Sequence, residues 1–452
     1  MSQIDTAFGT AIARLWEEKK YNTLRDVLST LQPPQAVAVL LLLPETALAP
    51  LFRLLPKELA AETFVEMESD LQEQLIRSFS DTELRSDLYE LNVDDAVDQV
   101  EEMHANVVKR ILAQADPELR RSINELLQYP EDSAGSIMTT EFVSLRPHMT
   151  ASDALLSIRR TGMDKETVNT CYVMDDRRHL IGVVTLRQIV MAKEDDTMED
   201  LMDRNVISVT TLEDQETVAH MFALYDYFVI PVVDKENRLV GIVTVDDAID
   251  VMEEETTEDV SKMAAMTPSD KPYLRTTTLE LFKSRIPWLL LLMLSSTFTG
   301  MIITHFEGVL AASIALTAAI PMLMGTGGNS GSQSSVTVIR SLSLDEVQFS
   351  DMFRIWWKEI RVAVLCGLTL AVAEFFKLLL FDRIEPLVAG TICITLFATV
   401  CLAKFVGCTM PLLAKKLGFD PAVMASPFIT TIVDAMSLLI FCGCAGMMLR
   451  VG

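Results

Sequence analysis

Leu180-Ile-Gly-Val-Val-Thr185 and Leu239-Val-Gly-Ile-Val-Thr244 are nearly the same six-residue phrase, written twice in one chain. Each follows an apolar run that ends in aspartate, Cys171-Tyr-Val-Met-Asp175 and Ile230-Pro-Val-Val-Asp234. Each unit also opens on methionine, Met138-Thr-Thr-Glu-Phe-Val143 and Met202-Asp-Arg-Asn-Val-Ile207. Short strands alternating with amphipathic segments predict an α/β unit used twice, over about residues 137 to 250. The material on either side of this repeat differs sharply. From Lys271 onward there are 11 acids and 14 bases, so the first 270 residues carry −28 and the rest +3. An acidic, water-facing front is joined to an apolar, nearly neutral back.

The ordered series of opening Met, apolar-Asp strand and Gly-Val/Ile-Val-Thr strand resembles a tandem pair of CBS domains. Such pairs often act as sensors of adenosine nucleotides, ATP among them, with a Thr-x-x-Asp set near the ribose. Thr244 and Asp247 have that spacing, whereas the first repeat has Gln188 where the aspartate would be. A purely dimerising role is the other reading open to such a pair.

In front of the repeat, residues 22 to 130 carry recurring Leu-Pro marks: Leu31-Gln-Pro33, Leu43-Pro44 and Leu55-Pro56. Proline is favoured at a helix start because its missing N–H would have no partner there. The step of roughly twelve residues predicts short helices stacked into a curved, all-α superhelical array. Asp94, Asp95 and Asp98 crowd one or two turns, either as solvated surface or as ligands. Behind the repeat, Asp247, Asp250, Glu254 and Glu258 form an acidic stripe at helical spacing. Like charges so placed oppose a helix unless something positive lies between them. The segment is either a solvated linker or a regulated element.

From Ile286 the chain becomes long enough and apolar enough to cross a hydrocarbon core of roughly 30 Å. Five spans are expected: Ile286 to Thr304, Val309 to Ile339, Val362 to Phe381, Leu387 to Leu413 and Ala422 to Leu449. Lys271, Arg275, Lys283, Arg285, Arg340, Arg354, Lys358, Arg361, Lys415 and Lys416 fall on one side, whereas the connections on the other offer no base in His305 to Gly308 and only Arg383 between Phe381 and Pro386. The basic side marks the cytoplasm, so the N-terminus is expected inside and the C-terminus outside. The segment Met1 to Tyr21 has no secretory pattern. The resulting organisation is an acidic helical domain (1–130), a tandem α/β pair (131–250), an acidic connecting helix (251–270) and a five-helix membrane domain (271–452). The net charge of −25 argues against nucleic acid as a partner. Six of the seven cysteines lie in apolar runs, where cysteine behaves as a small hydrophobe.

Two stretches put polar groups into the apolar part. Pro321-Met-Leu-Met-Gly-Thr-Gly-Gly-Asn-Ser-Gly-Ser-Gln333 either breaks its helix beside protein or water, or serves close helix packing. It lacks the Gly-Lys-Ser/Thr ending of a phosphate loop. Ser426-Pro-Phe-Ile-Thr-Thr-Ile-Val-Asp-Ala-Met-Ser437 places Asp434 deep in the last span. A carboxylate there costs at least about 2.5 kcal/mol on insertion scales, so it marks a cavity or an ion path. Pro427 is expected to free the carbonyl of Val423. Glu359 is expected to pair with its neighbours Lys358 and Arg361, and Glu374 with Lys377. One carboxylate is a poor cage, but two copies of Asp434 across a two-fold axis would suit Mg²⁺, which dehydrates reluctantly and keeps several waters.

The whole order of parts, with Gly328-Asn329-x-Gly331-x-Gln333 and Ser426-Pro427-x₆-Asp434, resembles the MgtE family of magnesium channels over nearly the full chain. The resemblance implies a homodimeric, Mg²⁺-selective channel of the bacterial cytoplasmic membrane, with Asp434 at the ion site of an axial pore. Asn329, Gln333, Ser426, Thr430 and Thr431 are expected to line that pore. Carried over by position, the acids that bind intracellular Mg²⁺ and close the channel are Glu62, Asp94, Asp98, Asp214, Glu216, Asp226, Asp247, Asp250, Glu255, Glu258, Asp259 and Asp420. After the pore aspartate the family often has Thr-Gly, where this chain has Met436-Ser437. No enzymatic activity is expected; an intramembrane aspartyl protease needs two carboxylates sharing a proton, and only Asp434 stands alone. The competing reading is a gradient-coupled transporter or exporter of a divalent cation such as Co²⁺ or Mn²⁺, with the same sensor.

Overall fold

The computed structural model describes residues 6–67, 69–80, 105–115, 117–269, 273–274, 276–344, 346–424 and 426–449. Asp94, Asp95 and Asp98 lie outside them. The chain forms two compact units, Met1–Met252 and Glu253–Gly452.

The first unit begins with short helices: α1 (Thr6–Glu17), α2 (Tyr21–Leu28), α3 (Pro33–Leu41), α4 (Glu45–Phe52), α5 (Lys57–Val65), α6 (Ser69–Ser78), α7 (Ala105–Gln114) and α8 (Pro117–Leu126). The prolines fall where the missing N–H costs nothing. Pro33 opens α3, and Pro44 and Pro56 stand immediately before α4 and α5. Leu24, Leu28, Leu40, Leu51, Leu75 and Ile76 are buried between these helices. Their core runs on into that of the second repeat, through Val218, Ile230 and Val243.

Each repeat builds a three-stranded sheet. β1 (Phe142–Leu145) lies parallel to β2 (Thr167–Met174), which pairs antiparallel with β3 (Leu180–Thr185). β4 (Val209–Thr210), β5 (Val229–Val233) and β6 (Leu239–Thr244) repeat the order. Helices α9 (Ala151–Thr161), α10 (Leu186–Met191), α11 (Met198–Leu201) and α12 (Gln215–Tyr225) complete the pair. The two repeats are interlocked. Met138, which opens the first, seats on Gly241 of the second, and Met202 seats on Gly182 of the first. Backbone bonds follow the same exchange: Thr139 and Ile242 bond reciprocally at 2.8 and 2.9 Å, and Val183 and Asp203 at 3.0 and 2.9 Å. A side chain at either glycine would collide with the methionine sulfur, so the repeated Gly and the repeated Met explain one another.

The Thr-x-x-Asp spacing has a local reason as well. Thr185 donates its N–H (2.8 Å) and hydroxyl (2.7 Å) to Gln188 and so caps α10. Thr244 donates its N–H (3.3 Å) and hydroxyl to Asp247 in the same way, at the head of α13 (Val245–Met263). Burial pushes the Asp247 carboxyl up to about 6, with Asp246 and Asp250 adding to it and the Thr244 bonds opposing it. The acidic helix therefore grows straight out of the last strand.

The second unit contains α14 (Thr278–His305), a short α15 (Glu307–Leu310), α16 (Ile314–Ser343), α17 (Met352–Leu380), α18 (Pro386–Leu417) and α19 (Ser426–Leu449). Among the described residues four helices are long and apolar enough to cross a membrane, those at Thr278–His305, Phe349–Leu380, Pro386–Leu417 and Pro421–Met448. The second of the five expected spans, α16, is 30 residues long. It is less apolar because Gly325 to Gln333 runs through it. It also starts later than expected, since the chain turns between Leu310 and Ile314.

That glycine-rich stretch does not break the helix; α16 is continuous through it. Close packing is the reason for Gly327, Gly328 and Gly331, while Gly325 faces open space. A Cβ at Gly407 of α18 would run into the carbonyl oxygen of Gly331, so the two backbones touch. Pro427 likewise frees no carbonyl within a helix. It lies in the first turn of α19, and Val423 belongs to a separate 3₁₀ turn, Pro421–Met424. By contrast, Leu290, Leu294 and Phe298 of α14 and Leu365, Phe376 and Leu380 of α17 are exposed.

Two expectations follow. Gly407→Val should lower the melting temperature by several degrees, since overpacking costs about 1–3 kcal/mol, whereas Gly390→Ala, with open space around it, should not; equal melting curves would refute the backbone contact. Between about pH 4 and 6 the folded state holds the Asp247 proton that the unfolded chain gives up, so this group's contribution to stability falls as pH rises through that window. Asp247→Asn should therefore be more stable than the native chain at pH 7, on the order of 1–2 kcal/mol, with the gain fading towards pH 4. A difference that does not change with pH would contradict the assignment.

Candidate functional site

Asp434 sits two turns into α19, flanked on its own helix by Thr430, Thr431 and Ser437. The side chain is half-buried, and its Oδ1 is buried with no hydrogen-bond partner. The hydroxyls of Ser437, Thr399 on α18 and Ser335 on α16 are also buried without partners. Thr399, Val433 and Ser437 surround Gly327, whose Cβ position lies 2.8 Å from Thr399 Cγ2 and 3.4 Å from Ser437 Oγ. Ser437 thus packs directly on the glycine-rich helix. Leaving a carboxylate oxygen buried and unmet costs its full desolvation. The arrangement calls for a partner that the described residues do not provide.

The expected pore residues fall into two groups. Asn329 and Gln333 are exposed, in line with Gly325 and Thr337 along one face of α16. That polar stripe faces away from the packed helices. Thr430 and Thr431 are half-buried; Thr431 Oγ1 donates to the carbonyl of Pro427 at 3.0 Å, and Thr430 packs against Gly328. Ser426 begins the helix.

The acids expected to bind regulatory metal are dispersed. Glu62 is exposed on α5. Asp214 caps α12, accepting from the N–H of Glu216 (3.0 Å) and Thr217 (3.3 Å), while Glu216 reaches His220 at 3.6 Å. Asp226 ends the same helix with φ +53°. Asp247 is engaged with Thr244, and Asp250 is exposed. Among the described residues no three His, Cys, Asp or Glu side chains gather as a metal site within the chain.

In the second unit the end of α13 packs on α16 and on the turn before α19. Met263 lies against Ile339 and Ala422, and Asp259 accepts from Ser343 Oγ at 3.5 Å. Lys262 reaches Glu258 at 2.7 Å and Asp420 at 2.6 Å. It is the positive group the acidic stripe requires; its spacing of four from Glu258 was the signal in the sequence. Glu255 is half-buried on the same helix.

Glu374 pairs with Lys377 at 3.1 Å, as its spacing predicts. Glu359 does not pair with Lys358 or Arg361. It accepts from Ser334 Oγ at 2.6 Å and lies 3.9 Å from the ammonium of Lys404, a buried residue on α18. Sequence reasoning passed over Lys404, although a lysine inside an apolar span is itself a signal.

Residues 320–444 match a family described as a divalent cation transporter, residues 21–132 the MgtE intracellular N domain, and residues 134–195 and 198–254 the CBS domain. The chain is 36% identical over 437 residues to the magnesium transporter MgtE of Thermus thermophilus, covering 96% of this chain and 97% of that one. It is 32% identical over 435 residues to the magnesium transporter MgtE of Bacillus subtilis, covering 95% of each. The solved cytosolic domain of the Mg²⁺ channel MgtE in complex with ATP is 36% identical and superposes with a TM-score of 0.52, covering 54% of this chain and 99% of that one. A second structure, the soluble part of a magnesium transporter, is 30% identical with a TM-score of 0.50, covering 55% and 97%. These full-length relatives are transporters and not enzymes. With near-complete coverage and a shared order of domains, the chain belongs to the MgtE family.

Proposed function

We propose that the chain is a Mg²⁺-selective channel for magnesium uptake, acting as a homodimer in the bacterial cytoplasmic membrane and closed by intracellular Mg²⁺. The observation that carries this reading is the unmet Oδ1 of Asp434, buried in a membrane helix of a protein whose full-length relatives are magnesium transporters. Two copies across a two-fold axis would face each other and cradle a hydrated cation. The exposed stripe of Asn329 and Gln333 supports the same axis, because amides on a helix at membrane depth need protein or water beside them.

Five spans belong to this reading, with α16 as the second. It is about 45 Å long at 1.5 Å per residue, and its less apolar face is the one the axis would cover. The N-terminus lies in the cytoplasm and the C-terminus outside. The domains run as a helical front to about 130, the CBS pair to about 250, the connecting helix to about 270 and the membrane part beyond. Thr430, Thr431 and Ser426 flank the ion path.

Closure follows from charge. The dispersed acids Glu62, Asp94, Asp98, Asp214, Glu216, Asp226, Asp247, Asp250, Glu255, Glu258, Asp259 and Asp420 would bind Mg²⁺ between domains or between protomers. The −28 front repels itself when the ion is scarce. Bound Mg²⁺ draws the carboxylates together and holds α13 against the membrane helices, where Met263, Asp259 and Lys262 already make contact. An adenosine nucleotide at the CBS pair is a further part of the reading. The cytosolic domain of a relative was solved with ATP, and Thr244 and Asp247 would meet the ribose.

In a magnesium-auxotrophic cell the native chain should restore growth and Asp434→Ala should not; growth with the alanine variant would remove the ion site from Asp434. Unitary currents in patches would set the channel apart from a gradient-coupled transporter. Neutralising Asp250 and Glu258 together should leave the channel open at millimolar Mg²⁺, and unchanged closure would count against the regulatory reading.

A further inference from the structure

Three polar groups meet between α16, α17 and α18, and the permeation scheme above gives them no part. Ser334 is 2% exposed, Lys404 5%, and the Glu359 side chain 15%. Ser334 Oγ donates to Glu359 Oε2 at 2.6 Å and accepts from Lys404 Nζ at 3.2 Å. The ammonium and carboxylate themselves are 3.9 Å apart. A hydroxyl therefore links the two charges.

Such a group is a poor way to gain stability. Removing an ammonium and a carboxylate from water offsets most of their attraction, and well-packed apolar side chains would do as well. What the polar groups add is direction. A serine between two charges is satisfied at one register of α16 on α18, and a slide of one residue, about 1.5 Å, would take it from both.

The register set there bears on the ion site. Gly331, three residues before Ser334, meets Gly407, three residues after Lys404, backbone against backbone. The Cβ position of Gly331 also lies 2.9 Å from Ile429 Cγ2, 3.2 Å from the carbonyl oxygen of Ala403, and 3.5 Å from Val433 Cγ2. Val433 is the residue before Asp434. A shift of α16 along α18 would thus be felt one residue from the carboxylate.

We infer that Lys404, acting through Ser334 and Glu359, is a positioning residue for the ion path: it fixes the register of α16 on α18 and so the place of Asp434. The inference rests on the reading of Asp434 as the ion ligand.

The test is Mg²⁺ flux into proteoliposomes holding the full chain, read as the half-saturating Mg²⁺ concentration at equal amounts of folded protein. Lys404→Met alone leaves a buried carboxylate unpaired and can fail to fold. The neutral double variant Lys404→Met/Glu359→Gln removes both charges, and Ser334→Ala keeps both while removing the link. Each of these two should raise the half-saturating concentration at least fivefold, and Lys404→Arg, which keeps the charge and the donors, should stay within twofold of the native chain. Native values for both the double variant and Ser334→Ala would overturn the inference, as would an Arg variant as impaired as the double one. Asp434→Ala, run in parallel, separates the two ideas: native flux there overturns the ion-site reading and this inference with it. Lost flux there beside native values for the triad variants overturns this inference alone.

Discussion

A carboxylate oxygen with nothing to bind, placed among tightly packed helices, is the constraint around which the membrane unit is arranged. Asp434 Oδ1 is withdrawn from solvent and meets no donor among the described residues, and the hydroxyls of Ser437 on the same helix, Thr399 on α18 and Ser335 on α16 are left in the same condition. Folding rarely tolerates one such group, since over nine in ten buried polar atoms find a partner. Several together are the observation on which the proposed ion site rests. The price in stability is borne by the surrounding packing. Gly327, Gly328 and Gly331 let α16 approach Thr399, Thr430 and Ile429 more closely than any side chain would allow.

The same constraint connects the membrane unit to the acidic part of the chain. On the proposed reading, a pore that admits a divalent cation needs closing when that cation is plentiful, and the −28 front is suited to respond to it. Carboxylates dispersed over α5, α12 and α13 do not form a metal site alone. On the proposed reading the sites are completed only on compaction, so that ion binding and closure are one step. The interlocked repeats, each with its methionine on the other's glycine, give the front a rigid body on which such a movement can act.

Much of this was legible in the sequence because it rests on local rules. Prolines that cannot donate mark the starts of α3, α4 and α5, and duplicated Gly-Val/Ile-Val-Thr phrases mark two equivalent strands. The apolar runs read directly as long helices. What escaped was set by contacts between segments far apart in the chain. By local rules the glycine-rich stretch of α16 fits a broken helix as well as a packed one, and the contact that decides it, Gly407 against Gly331, spans 76 residues. The partner of Glu359 is 45 residues distant on α18, whereas local spacing pointed to Lys358 and Arg361. Pro427 looks like a helix interruption by local rules because the 3₁₀ turn before it, Pro421–Met424, carries no strong signal of its own.

The lysines complete the argument about Asp434. In the second unit Glu374 lies 3.1 Å from Lys377, Asp420 lies 2.6 Å from Lys262, and Glu359 has Lys404 at 3.9 Å with Ser334 between. At each of these places the chain supplies its own cation to a carboxylate near or within the apolar region. Asp434 has no such cation among the described residues, although a lysine one turn away on a facing helix would have cost no more than Lys404 does. An ammonium at that point would fill the site with a tethered ion and leave no room for a mobile one. The distribution of lysine thus sets Asp434 apart from Glu359, Glu374 and Asp420.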